Sequence, residues 1–143
     1  MFSKKQATNE WILTSREMIA IKIVIPMDKV PSLNKFINAQ RVNRYAGAKQ
    51  KKEATQICEL FILKAMKNGF EVKNKPTRLK FTWFCKNRRE DPDNIQFKKK
   101  FILDGAVNAG LLENDGWRQI AGFEDVFKVD KDNVRVEIEE VVP

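Results

Sequence analysis

The chain reads RLKFTWFCK from Arg78 to Lys86, NRREDP from Asn87 to Pro92, and DNIQFKKKFILDGAVN from Asp93 to Asn108. In the first part Leu79, Phe81, Trp83 and Cys85 fall on one side of an extended chain, the pattern of a strand with a buried face. The middle part is polar and reads as a loop. Pro92 fixes the local backbone and disfavours helix at Asp91. A helix is therefore predicted from about Asp93 to about Asn108, with Gly110 as its stop. A strand end becomes a helix start across Asp91 and Asp93, and the two carboxylates can converge near one point.

Toward the N-terminus, Met18 to Ile25 reads as a strand with Ile19, Ile21, Ile23 and Ile25 on one face, ended by Pro26. Ser32 is a good N-cap for a helix whose apolar side is Leu33, Phe36 and Ile37. Gly47 interrupts or bends that helix, and a second helical stretch covers about Lys49 to Lys67. There Ala54, Ile57, Cys58, Phe61 and Ala65 form a core stripe, and Asn68-Gly69 closes the helix. Toward the C-terminus, Trp117 to Val129 reads as a third strand, with Trp117 and Trp83 expected in the core. Val134, Val136 and Ile138 alternate with charged residues in a fourth. The turn Asp130-Lys131-Asp132-Asn133 predicts that these two strands form a hairpin. The order β-α-α-β-α-β-β predicts an α+β fold, a small four-stranded mixed or antiparallel sheet with helices packed on it. Residues 1–17, polar apart from Trp11, Ile12 and Leu13, read as an N-terminal arm. Residues 18–143 read as a single domain.

The apolar fraction of 43% suffices for a core, so the chain is not a disordered tail. Met18 to Met27 is too short and too interrupted to span a bilayer, and Lys4 and Lys5 precede no apolar signal region. Cys58 and Cys85 stand apart and histidine is absent, which excludes a zinc site of the usual Cys/His type. Both cysteines sit in apolar patterns, so buried free thiols and a cytoplasmic location are expected. The net charge of +8 is unevenly spread. Residues 1–103 carry 23 Lys+Arg against 9 Asp+Glu, and residues 104–143 carry 4 against 10. The basic part has the look of a polyanion footprint; a lysine-rich solubilising face is the plainer alternative.

Carboxylates repel phosphate, so acidic residues inside such a surface need a reason. Asp91, Asp93, Asp104 and Asp115 lie among Arg88, Arg89, Lys98, Lys99 and Lys100. Hard divalent cations take oxygen ligands, often one or two carboxylates completed by phosphate and water. That pattern points to metal-assisted phosphodiester cleavage. A D-x-D pair alone is a weak signal, since Asp93 also suits an N-cap and Asp91 a turn. In one unbroken helix, Asp93, Lys100 and Asp104 share a narrow face, while Lys98 and Lys99 project elsewhere. Arg41, Arg44, Lys49, Lys51 and Lys52 cluster near the junction of the first two helices and are candidates for a DNA path. Asn34 suits either DNA contact or a cap.

Asp91-Pro92-Asp93-Asn94, the lysines after it, Phe101-Ile102-Leu103-Asp104-Gly105, Ala109-Gly110-Leu111 and Asn114-Asp115 resemble the RusA family of Holliday junction resolvases. Ile25-Pro26 and Pro31-Ser32-Leu33-Asn34 resemble that family's opening strand and loop, so the likeness spans about residues 18–140. The resemblance implies an α+β, homodimeric, Mg²⁺-dependent endonuclease (Mn²⁺ as an alternative) that resolves four-way junction DNA by paired symmetric cuts. It implies that Asp91, Asp93 and Asp115 bind metal and that Lys100 is the essential basic residue. The segment between Asp93 and Lys100 is longer than in the founding member, which leaves Lys98 and Lys99 as rivals for that role. Asn114 stands where the family often has an acidic residue.

Overall fold

The computed structural model describes residues 21–142. The expected arm, with Trp11 to Leu13, and the first part of the expected opening strand lie outside the described residues. Four strands and four helical segments follow in the order β1 (Ile23–Pro26), α1 (Leu33–Val42), α2 (Arg44–Lys67), β2 (Thr77–Cys85), α3 (Pro92–Gln96), α4 (Lys99–Ala109), β3 (Ile120–Val129) and β4 (Arg135–Glu140). The fold is α+β with a four-stranded mixed sheet in the order β1-β4-β2-β3.

The alternation in β2 buries Leu79, Phe81 and Trp83. Ile23 and Ile25 of β1 and Val136 and Ile138 of β4 complete the inner face of the sheet, and α2 and α4 add Ala54, Cys58, Ile62, Phe101, Ile102 and Ala106 to the same core. Ile62 takes a core place that the predicted stripe gave to Phe61, which is only half-buried. Cys58 is fully buried, and burial, aided by Asp104, pushes its thiol up to about 12, so it is no nucleophile. Cys85 is only half-buried.

The expected hairpin does not form. β4 pairs antiparallel with both β1 and β2, whereas β3 pairs parallel with β2 on its other side. The turn at 130–133 therefore steps across β2. The reason lies in β2, the strand with the most buried positions, which gains partners on both edges. The α3–α4 crossover delivers β3 parallel to it, as a β-α-β connection does.

The first two helices divide at Asn43, not at Gly47. Asn43 has extended backbone, and its side chain accepts a hydrogen bond from Ala46 N–H (2.7 Å), capping α2. Gly47 lies inside α2, where a Cβ would sit 2.6 Å from Gln40 Cγ of α1. Glycine is needed there for the close approach of the two helices.

The helix expected over 93–108 is split. At Phe97–Lys98 the hydrogen bonds run three residues back: Lys98 N to Ile95 O, Lys100 N to Phe97 O and Phe101 N to Lys98 O. This tighter winding turns the chain about 20° more per residue than an α-helix. The single-face alignment of Asp93 with Lys100 and Asp104 was derived for unbroken α-helix and does not carry across this turn.

Gly105 fixes how α4 sits on α2. An added Cβ would lie 2.8 Å from Glu59 N and 2.9 Å from Cys58 Cβ, and backbone cannot give way cheaply. Gly105→Ala is expected to cost about 2 kcal/mol by overpacking and to lower the thermal midpoint by roughly 6–8 °C. An unchanged midpoint would mean that the two helices are not in such close contact.

Candidate functional site

Asp91 occupies the N-cap of α3, with Pro92 at the first helical position. Its backbone carbonyl accepts from Asn94 N–H and Ile95 N–H, but its carboxylate makes no capping bond. Asp93, in the first turn, is also exposed. Among the described residues neither side chain has a hydrogen-bond or ion-pair partner, which is not what a cap or turn residue would show.

Asn94 holds this segment in place. It is buried; its Oδ1 accepts Asn34 N–H (2.9 Å) and its Nδ2 donates to Glu90 (2.9 Å). The start of α3 is thus tied both to the start of α1 and to the loop before Asp91. Asn34 makes this link through its backbone N–H. Sequence reasoning quoted Asn94 within its motif but gave it no function; a buried amide beside two exposed acids is the signal that identifies it.

A small cleft lined by Asp91, Arg88, Glu90, Pro92 and Lys128 opens beside this segment, with Phe127 and Val129 on its wall. Asp115 is elsewhere. It lines a second cleft between α2 and the end of α4, with Lys51, Lys52, Asp104 and Asn114. Among the described residues no three His, Cys, Asp or Glu side chains are close enough to hold one metal ion. Asp91 lines the smaller cleft and Asp93 stands two residues on in the first turn of α3; two carboxylates are what a Mg²⁺ needs when it keeps waters and takes phosphate oxygens as further ligands. The set of three with Asp115 does not fit within this single chain.

The lysines also separate. Lys100 is exposed. Lys99 is buried: its Nζ lies 2.7 Å from Asp125 Oδ2, and its ammonium sits 4.4 Å from the Phe123 ring centroid and 5.1 Å from that of Phe81. Asp125 also accepts Trp83 Nε1–H (2.8 Å). Lys98 is 8% exposed, and its Nζ donates to Met27 O (3.3 Å). Neither Lys98 nor Lys99 lies on an open surface, where the sequence reading placed them. The apolar phase of Phe123, Asp125 and Phe127 along β3 was the available sign that Asp125 meets a buried cation.

Arg41, Arg44, Lys49, Lys51, Lys52, Arg88 and Arg89 are all exposed. Lys51 and Lys52 face the cleft that holds Asp115, and Arg88 lies beside Asp91. Trp83 is buried and stacked on Phe81, as expected. Trp117 is not in the core: it is 97% exposed, because β3 begins at Ile120 and leaves it in the preceding loop.

No family model matches the chain, and no curated protein or solved structure is significantly similar to it. No described helix is long and apolar enough to cross a membrane.

Proposed function

We propose that the chain is a metal-dependent, structure-selective DNA endonuclease that acts on four-way junctions as a homodimer in the cytoplasm. The observation that carries this reading is that Asp91 and Asp93 are exposed and, among the described residues, uncommitted, on a strand-to-helix corner fixed by Asn94, with Arg88 in the cleft at Asp91. The resemblance of the Asp91–Asp115 segment to the RusA family supports it from the sequence side. In this reading Asp91 and Asp93 hold Mg²⁺. When bound, the metal activates water and offsets charge on the phosphorus. Arg88 holds the neighbouring strand, and the exposed Lys100 supports developing negative charge. One chain carries one acidic pair, so two opposed cuts call for two chains, and C2 symmetry matches the junction.

A second reading is a catalytically silent nucleic-acid-binding protein of the same fold. The separation of Asp115 from Asp91 and Asp93 into another cleft favours it. A nuclease for flaps or other branched DNA differs from the first reading only in substrate. Incubation of branched and linear duplexes in Mg²⁺ or in EDTA separates them: metal-dependent cutting of any branched form sinks the silent reading, and equal cutting of linear duplex sinks structure selectivity.

The basic surface makes its own prediction. Junction affinity falls steeply with salt, and replacing Lys49, Lys51 and Lys52 together with Gln lowers the slope of log K against log salt by about 2 to 3. Titration at several salt concentrations measures it. An unchanged slope would place the DNA path away from α2.

A further inference from the structure

A larger cleft, ≈630 Å³, lies between the β1–α1 loop, the end of β2 and the α3–α4 turn. Two of its wall residues are buried polar groups without adequate partners. Ser32 is 2% exposed, and its Oγ has no hydrogen-bond partner among the described residues. It is the N-cap of the ten-residue α1, yet its side chain makes no capping bond. Lys98 is 8% exposed and has three ammonium donors, but its Nζ meets only Met27 O among the described residues. Burial pushes the Lys98 ammonium below its ordinary range, against the pull of Glu90 and Cys85. A buried charge so thinly satisfied is unfavourable unless something else completes it.

The surroundings define what that is. Lys35, Lys86 and Arg89 also line the cleft. Arg135, at one wall, is already engaged with Asp130 and Glu137. Against the four remaining cations stand only Asp28 and Glu90, so the cleft keeps a net positive charge. The start of α1 adds the positive end of a helix. A hydroxyl, an ammonium and a helix N-terminus facing one space, under a net positive charge, suit a tetrahedral oxyanion.

We propose that this cleft is a phosphate-binding site that holds a backbone phosphate of the DNA next to the one at Asp91. Position favours the DNA backbone as the source. The cleft shares Cys85, Asn87, Glu90 and Ile95 with the smaller cleft at Asp91, so the two are neighbours along one wall. A strand with one phosphate at Lys98 and Ser32 continues past the acidic pair. This would place the strand for cleavage, and it rests on the nuclease reading for that purpose alone.

The first arm of the test titrates the whole protein with inorganic phosphate, against chloride at equal ionic strength, and follows backbone amide signals by NMR. Saturable shifts are expected at Ser32 and Lys35. Lys98→Met is expected to weaken phosphate binding roughly tenfold and Ser32→Ala roughly fivefold, as loss of a hydrogen bond to a charged group does. Ser32→Ala removes an unsatisfied buried hydroxyl, so folding is unharmed and a purely structural serine would leave phosphate binding unchanged. The second arm measures four-way junction binding against salt. Lys98→Met is expected to lower the slope by about one. No saturable shift up to tens of millimolar phosphate overturns the site. Shifts without any change in the junction slope overturn the DNA backbone as its ligand. Neither arm needs a metal or cleavage, so an inactive protein that binds phosphate here contradicts only the nuclease reading, and an active one that does not contradicts only this site.

Discussion

In Mg²⁺, Asp93→Asn is expected to bind a four-way junction as tightly as the wild type and to cut it about a thousandfold more slowly, the scale on which loss of an essential catalytic group acts. The substitution keeps size and polarity and removes one anionic oxygen donor. Asp93 is exposed in the first turn of α3, so its loss should move stability by no more than about 0.5 kcal/mol. Removing a negative charge beside Arg88 and Arg89 cannot weaken phosphate binding through repulsion. Single-turnover cleavage and gel-shift titration on one preparation separate the two effects. Cutting near the wild-type rate by folded Asp93→Asn would remove this residue from the mechanism.

The largest stability effect is expected at Asp125. Its carboxylate accepts both the Lys99 ammonium (2.7 Å) and Trp83 Nε1–H (2.8 Å), and the two charged side chains are only 22% and 10% exposed. Asp125→Ala leaves the buried indole N–H without its acceptor and the buried ammonium without its counter-charge, with only the longer bond to Gln96 Oε1 (3.4 Å) remaining. Breaking a buried pair from one side costs about 4 kcal/mol, which lowers the thermal midpoint by roughly 10–15 °C. Lys99→Met costs less, because Asp125 keeps the indole bond and some solvent. The double change Lys99→Met with Asp125→Leu should recover much of the loss, since no unpaired charge remains. Thermal unfolding of the three variants measures this. Equal midpoints for Asp125→Ala and the wild type would show that the pair contributes nothing to the fold.

The elements were largely legible because periodicity is local. Leu79, Phe81 and Trp83 announced β2, Ser32 announced α1, and Asn68-Gly69 closed α2 where expected. Sheet order was not legible. The short turn at 130–133 favours a hairpin on local grounds, and only the competition for both edges of β2 sends β4 to one side and β3 to the other. The break at Phe97–Lys98 left no mark in the apolar pattern, since Phe97, Phe101 and Phe36 pack together across it. That break undid the face assigned to Lys100. At the site, Asp91 and Asp93 could be picked out as carboxylates in a basic setting. The clamp at Asn94 and the pairing of Lys99 with Asp125 depend on partners 60 and 26 residues away, which spacing alone does not reveal. Asp115 joined the acidic set through resemblance, and the structure places it in a different cleft.

Metal-dependent resolution of branched DNA is tested with a synthetic four-way junction, each strand labelled in turn, incubated with the wild-type protein with and without Mg²⁺. A resolvase makes no cuts in EDTA and, in Mg²⁺, paired incisions placed symmetrically on two opposed strands, with nicked intermediates scarce. Tight junction binding with no incision in either Mg²⁺ or Mn²⁺ would contradict this activity.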